Sequence, residues 1–161
     1  MSEGQKVKPE QKGHENAWVI TLDYPSYEEE LAIVKATTSD HEVTLNNILT
    51  GEQIVYFQSL IRKIPIADNV VEYAVNLVTS TRPGKSSKEY INEWIDWGAG
   101  PRASQYLIIG AKCHAAMRGK YSPDIEDVKA VALPILRHRL VKNYKAEAEG
   151  YSMDKIIESL L

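Results

Sequence analysis

One cysteine, Cys113, is all the thiol this chain carries, which excludes an internal disulfide and fits a reducing compartment. No apolar run approaches the roughly 20 residues that cross a bilayer, and the N-terminus lacks the hydrophobic core of a signal peptide. The expected location is therefore the cytoplasm. Positive charge is not in excess either. With 19 Lys and Arg against 22 Asp and Glu the formal net charge is −3, whereas a general nucleic-acid binder would be clearly basic. The histidines His14, His41, His114 and His138 stand without metal-ligand spacing, and the consecutive Cys113 and His114 diverge on a helix, so no metal site is expected. A glycine-flanked serine nucleophile and a Cys/His constellation are also missing.

What remains is an ordinary globular composition, 43% hydrophobic and 25% charged over 161 residues, the size of one domain. Residues Met1–Ala17 hold almost nothing apolar and cannot offset the entropy of ordering, so they read as a disordered leader or a stretch of artificial origin. Trp18–Tyr24 (WVITLDY) alternates with β-branched residues and reads as one short strand. A lone strand needs a sheet that the rest of the sequence does not supply, which suggests the remnant of something larger.

From Pro25 the pattern is helical. Ser26 and Glu29 form a capping box ahead of Leu31, Ile33 and Val34, and Thr50 with Gln53 announces a second helix carrying Ile54, Phe57 and Ile61 as far as Pro65. Asp68 is expected to cap a third, with Val71, Val75 and Val78 on its inner stripe. Ser86 and Glu89 suggest a capping box for a short helical segment, Tyr90–Trp97. A long helix then runs from Pro101 to about Arg118, with Leu107, Ala111, Cys113 or His114, and Met117 inward. Ser122-Pro123-Asp124 begins another, with Ile125, Val128 and Ala132 inward, until Pro134 breaks or kinks it before a basic continuation, Ile135–Tyr144. Gly150 and Ser152 lead into a last short helix, Met153–Leu161. The expected fold is all-α, a small bundle of five to seven helices over residues 25–161, with one stray strand.

Chemistry concentrates in Gly98-Ala99-Gly100-Pro101-Arg102. Gly100 suits the N-cap, Pro101 has the φ of a first helical residue, and Arg102 falls beside free N–H groups at the positive end of the helix dipole. Such an end favours anions, and a guanidinium adds a fork shaped for phosphate oxygens. An ordinary solvated arginine or an ion-pair partner would use the same spacing. Thr79–Ser86 (TSTRPGKS) imitates a phosphate loop, but Thr79 replaces the first glycine and the segment follows a helix rather than a strand. Arg137-His138-Arg139 with Lys142 and Lys145 reads as a solvated helix end ahead of a nucleic-acid contact, since no base-reading motif accompanies it.

TLDYPSYEEELAIV, VVEYAVNLVTSTRPG and WGAGPRASQYLIIGAKCHAAMRGKYSPDIEDVKAVALPILRHRL, in that order, resemble the C-terminal lid of MoxR-type AAA+ ATPases. The resemblance covers about Leu22–Leu161. It implies that Arg102 is the sensor 2 arginine, catalytic toward ATP, that Gly100, Pro101 and Arg102 bind nucleotide, and that Gly100 replaces the family's usual serine N-cap. It further implies an absent α/β core with ATP and Mg²⁺, a ring homo-oligomer, partners with von Willebrand factor A-type domains, and a role in protein remodelling or maturation. A Walker A loop, a Walker B acidic pair, sensor 1 and an arginine finger are not in the sequence, so on this reading the chain is a lid fragment without turnover of its own. A stand-alone helical interaction module that never meets nucleotide is the alternative from another class.

Overall fold

The structure is a computed structural model and describes residues 18, 20, 22–40, 46–86 and 88–161. The Met1–Ala17 leader lies outside the described residues. So do Val19 and Thr21, and the described positions of the expected strand, Trp18, Ile20 and Leu22–Tyr24, are irregular rather than extended into a ladder. Nothing among the described residues pairs with them, and an isolated strand has no hydrogen bonds to hold it.

Two compact units divide the described residues, one within Ile20–Ser59 and one within Leu60–Leu161, the latter together with Trp18. In the first, α1 (Tyr27–Thr38) begins at the expected capping box. The Ser26 N–H donates to Glu29 Oε2 at 2.8 Å, and the Glu29 N–H donates back to Ser26 Oγ at 3.4 Å. Helix α2 (Gly51–Lys63) starts the same way: Thr50 N–H donates to Gln53 Oε1 at 2.8 Å and Gln53 N–H to Thr50 Oγ1 at 3.2 Å. These reciprocal bonds satisfy donors that the first turn of a helix leaves open.

The second unit holds the core. Helices α3 (Asp68–Ser80), α5 (Pro101–Met117) and α6 (Ile125–Leu136) pack on one another, with Val70, Ala74, Leu77 and Val78 meeting Ala103, Leu107 and Ala111, and Val128, Val131, Ala132 and Ile135. Small residues on α5 let its neighbours approach closely: a Cβ at the buried Gly110 would lie 3.1 Å from Ile135 Cδ1 and 3.2 Å from Val131 Cγ2. A second cluster of Ile91, Ile95 and Ile156 joins α4 (Glu89–Trp94) to α8 (Met153–Glu158), with α7 (Tyr144–Ala148) beside it.

Several details depart from the sequence expectation. The inner stripe of α3 is Val70, Ala74, Leu77 and Val78, while Val75 is 45% exposed; Ala67 is the N-cap and Asp68 the first helical residue. Helix α4 begins after Lys88 without a side-chain cap, the Ser86 hydroxyl accepting instead from the Lys88 N–H. It ends at Trp94, because Ile95–Trp97 is a strand, β1, antiparallel to β2 (Val141–Lys142) with Ile95 opposite Lys142 and Trp97 opposite Val141. Helix α6 carries Pro134 in its last turn and stops at Leu136, so Arg137–Asn143 is turn and strand rather than a helical extension, and Tyr144 opens α7. Met117 is 77% exposed and Cys113 half-buried. The fold is all-α in substance, eight helices and one two-stranded ribbon among the described residues. None of those helices is long and apolar enough to cross a membrane.

Candidate functional site

Helix α5 opens as its sequence dictates. Gly100 is the N-cap with extended backbone, φ −85° and ψ 176°, and Pro101 occupies the first helical position. Since glycine brings no side-chain oxygen, the cap has no side-chain hydrogen bond, and the Ala103 N–H donates to the Gly100 carbonyl at 3.0 Å. Pro101 and Arg102 are exposed while Ala103 and Leu107 are buried, so the helix is anchored one turn below its tip. The Arg102 side chain makes no hydrogen bond or ion pair among the described residues, and the first turn contains no acidic side chain. Its guanidinium therefore adds to the positive end of the dipole without internal neutralisation.

A second arginine reaches the same end. Tyr106 lies one turn along from Arg102, and Arg139, on the segment between α6 and β2, places its guanidinium carbon 5.0 Å from the Tyr106 ring centroid. Burial pushes the Arg139 pKa below its ordinary value; the tyrosine opposes this and the Arg102 charge adds to it. The charges of Arg102 and Arg139 thus act on each other near one helix end, a pairing with Tyr106 that the sequence alone does not indicate. The spacing of Arg102 and Tyr106 was readable; the approach of Arg139 depends on the β1–β2 pairing across more than forty residues.

The other basic residues of that segment are engaged locally. Arg137 forms a fork with Asp154, Nε to Oδ1 at 2.7 Å and Nη2 to Oδ2 at 2.6 Å. Lys142 pairs with Glu147 at 2.7 Å and donates to the Tyr151 carbonyl at 2.8 Å, and Lys145 pairs with Glu93. The run that resembled a nucleic-acid contact is thus largely spent on holding α7 and α8.

Thr79–Ser86 is no phosphate cradle. It is the end of α3 followed by a turn in which Gly84 takes φ 74°, and it packs against the loop before α5. At the opposite end of α5, His114 Nδ1 lies 2.7 Å from Asp127 Oδ1 and Lys120 Nζ 3.0 Å from Asp127 Oδ2, a buried staple between α5 and α6 rather than a ligand set. Among the described residues no group of three His, Cys, Asp or Glu could hold a metal ion.

Residues 88–160, the stretch containing the Arg102 turn, match the family described as AAA lid domain. This part of the chain is an AAA lid domain. Over 160 residues the chain is 31% identical to Chaperone MoxR1 of Mycobacterium tuberculosis, covering 99% of itself and 42% of that protein. It is 24% identical to the uncharacterised protein YeaC of Bacillus subtilis, covering 99% of itself and 48% of the other. A crystal structure of a candidate ATPase from Cytophaga hutchinsonii superposes with a TM-score of 0.77 at 32% identity, over 89% of this chain and 44% of that one. The chain thus spans less than half the length of these relatives, and the resemblance to the MoxR-type lid read from GPRAS and its flanking blocks is borne out.

Proposed function

We propose that this AAA lid closes over ATP held by a neighbouring core and presents Arg102 to the γ-phosphate as the sensor 2 residue of a MoxR-like ATPase. One observation carries the reading: Arg102 stands exposed, without an ion pair among the described residues, at the donor-bearing tip of α5 within the AAA lid. Bound ATP with Mg²⁺ supplies the phosphoryl group whose transfer to water is the reaction. The lid's residues fit the phosphate and not the metal. Arg102 offers a planar fork to two oxygens, Pro101 fixes the turn that carries it, and Gly100 leaves the backbone bare for close approach.

On the same reading the complete protein is a cytoplasmic ring homo-oligomer that remodels or matures other proteins, with von Willebrand factor A-type domains among its partners. A different observation favours an interaction module instead: α1 and α2 bury none of their residues and expose Leu31, Ile33, Val34, Ile54 and Phe57. Steady-state ATPase kinetics of the complete protein separate the two. Arg102→Ala and Arg102→Lys should each lower kcat by roughly tenfold to a hundredfold while ADP, which lacks the contacted phosphate, binds nearly as before. Lysine keeps the charge and loses the fork, so it should not rescue. A normal kcat in Arg102→Ala ends the sensor 2 assignment.

A further inference from the structure

The segment that imitates a phosphate loop holds two consecutive residues that grip the loop leading to Arg102. Thr81 is fully buried, its hydroxyl donating to the Val78 carbonyl at 2.7 Å and accepting from the Ala99 N–H at 2.9 Å. The next residue, Arg82, donates its Nε–H to the Ala99 carbonyl at 2.9 Å. Both backbone hydrogen-bonding groups of Ala99 are therefore taken by the end of α3. Gly98 makes the fit possible, because a Cβ there would lie 2.5 Å from the Thr81 carbonyl oxygen and 2.8 Å from the Arg82 nitrogen.

The grip falls where the site has least else to hold it. Burial of Ala103 and Leu107 sets the axis of α5, but the exposed first turn has a glycine cap with no side-chain hydrogen bond, and Gly98 and Gly100 on either side of Ala99 would otherwise give the loop wide freedom. We infer that Thr81 and Arg82 are positioning residues that lock Ala99 and thereby set the aim of Arg102, so that movement of the α3 end is transmitted to the phosphate-facing tip of α5. The inference rests on the phosphate role of Arg102 proposed above.

The test is a set of variants of the complete ATPase assayed well below their melting temperatures: Thr81→Val, Thr81→Ser, Arg82→Lys, Arg102→Ala, and Thr81→Val combined with Arg102→Ala. Valine keeps the shape and drops both hydroxyl bonds; serine keeps the bonds; Arg82→Lys removes the Nε donor at a half-buried position where the fold tolerates change. Misplacing a contact by an ångström is costly to turnover, so Thr81→Val and Arg82→Lys should lower kcat by about tenfold with KM for ATP changed less than about threefold, and Thr81→Ser should recover most of the loss. With Arg102 already gone, Thr81→Val should lower kcat by less than about twofold, the signature of action through that residue. Wild-type kcat in Thr81→Val and Arg82→Lys beside an impaired Arg102→Ala would overturn the inference and leave the site reading standing. An equal further loss on the Arg102→Ala background would also overturn it, since the clamp would then act elsewhere. A normal kcat in Arg102→Ala removes both together.

Discussion

A Cβ at Gly98 would sit 2.6 Å from Arg82 Cα, whereas one at Gly100 would meet nothing within 4 Å. Two glycines in one loop are thus present for different reasons. The first is required by close backbone approach, and Gly98→Ala should destabilise by about 1–3 kcal/mol because backbone rather than a flexible side chain must yield. The second only dispenses with a cap. Gly100→Ser places a hydroxyl within reach of open first-turn donors at a φ any residue adopts, and should stabilise by a few tenths of a kcal/mol. Urea unfolding of both variants measures the contrast; equal effects would contradict it. From the sequence, both glycines read alike as freedom to turn. What separates them is the end of α3, seventeen residues away in the chain, which no local pattern announces.

Helices were legible where the signal is local. The boxes Ser26–Glu29 and Thr50–Gln53, the Gly100-Pro101 start and the inward Leu107 and Ala111 all follow from side chains within one turn. Sequence and structure part where partners are distant: β1 reads locally as helix because its three residues gain meaning only from β2, and the α3 stripe differs because α5 and α6, not periodicity, choose which valines are covered. The α5–α6 staple belongs to this scale. Burial pushes the Asp127 carboxyl up, but the Asp124 N–H, donating to Asp127 Oδ2 at 2.9 Å, together with His114 and Lys120, outweighs this and holds the pKa at about 2, below the ordinary 3.8. A depressed folded pKa stabilises above the unfolded value and is lost as pH falls through 3.8 toward 2. Asp127→Asn should therefore cost on the order of 2 kcal/mol at neutral pH, with the difference from wild type shrinking below pH 3. Denaturation at pH 7 and at pH 2.5 tests the sign; a difference that grows in acid would refute it.

For the molecule as a whole, the proposed function gives the lid one corner of a nucleotide site, and that sets what the chain would bind by itself. A charge-assisted fork from Arg102 contributes roughly 1.5–3 kcal/mol net, while immobilising a ligand costs at least about 4 kcal/mol before any contact is made. The remaining favourable terms would have to come from a phosphate cradle, a metal or a base pocket. The loop-like Thr79–Ser86 segment is committed to Ala99, no metal-binding group of three exists among the described residues, and a cavity of about 590 Å³ bordered by Leu22, Tyr24 and Ile33 does not include Arg102. ATP added to this chain should accordingly bind with Kd in the millimolar range or weaker, and the residual affinity should fall further with salt because it rests on exposed charge. Titration calorimetry at low ionic strength reads this directly, and Arg102→Ala should abolish what heat remains. Micromolar affinity in the wild-type chain would mean that the lid holds nucleotide through residues other than the α5 tip.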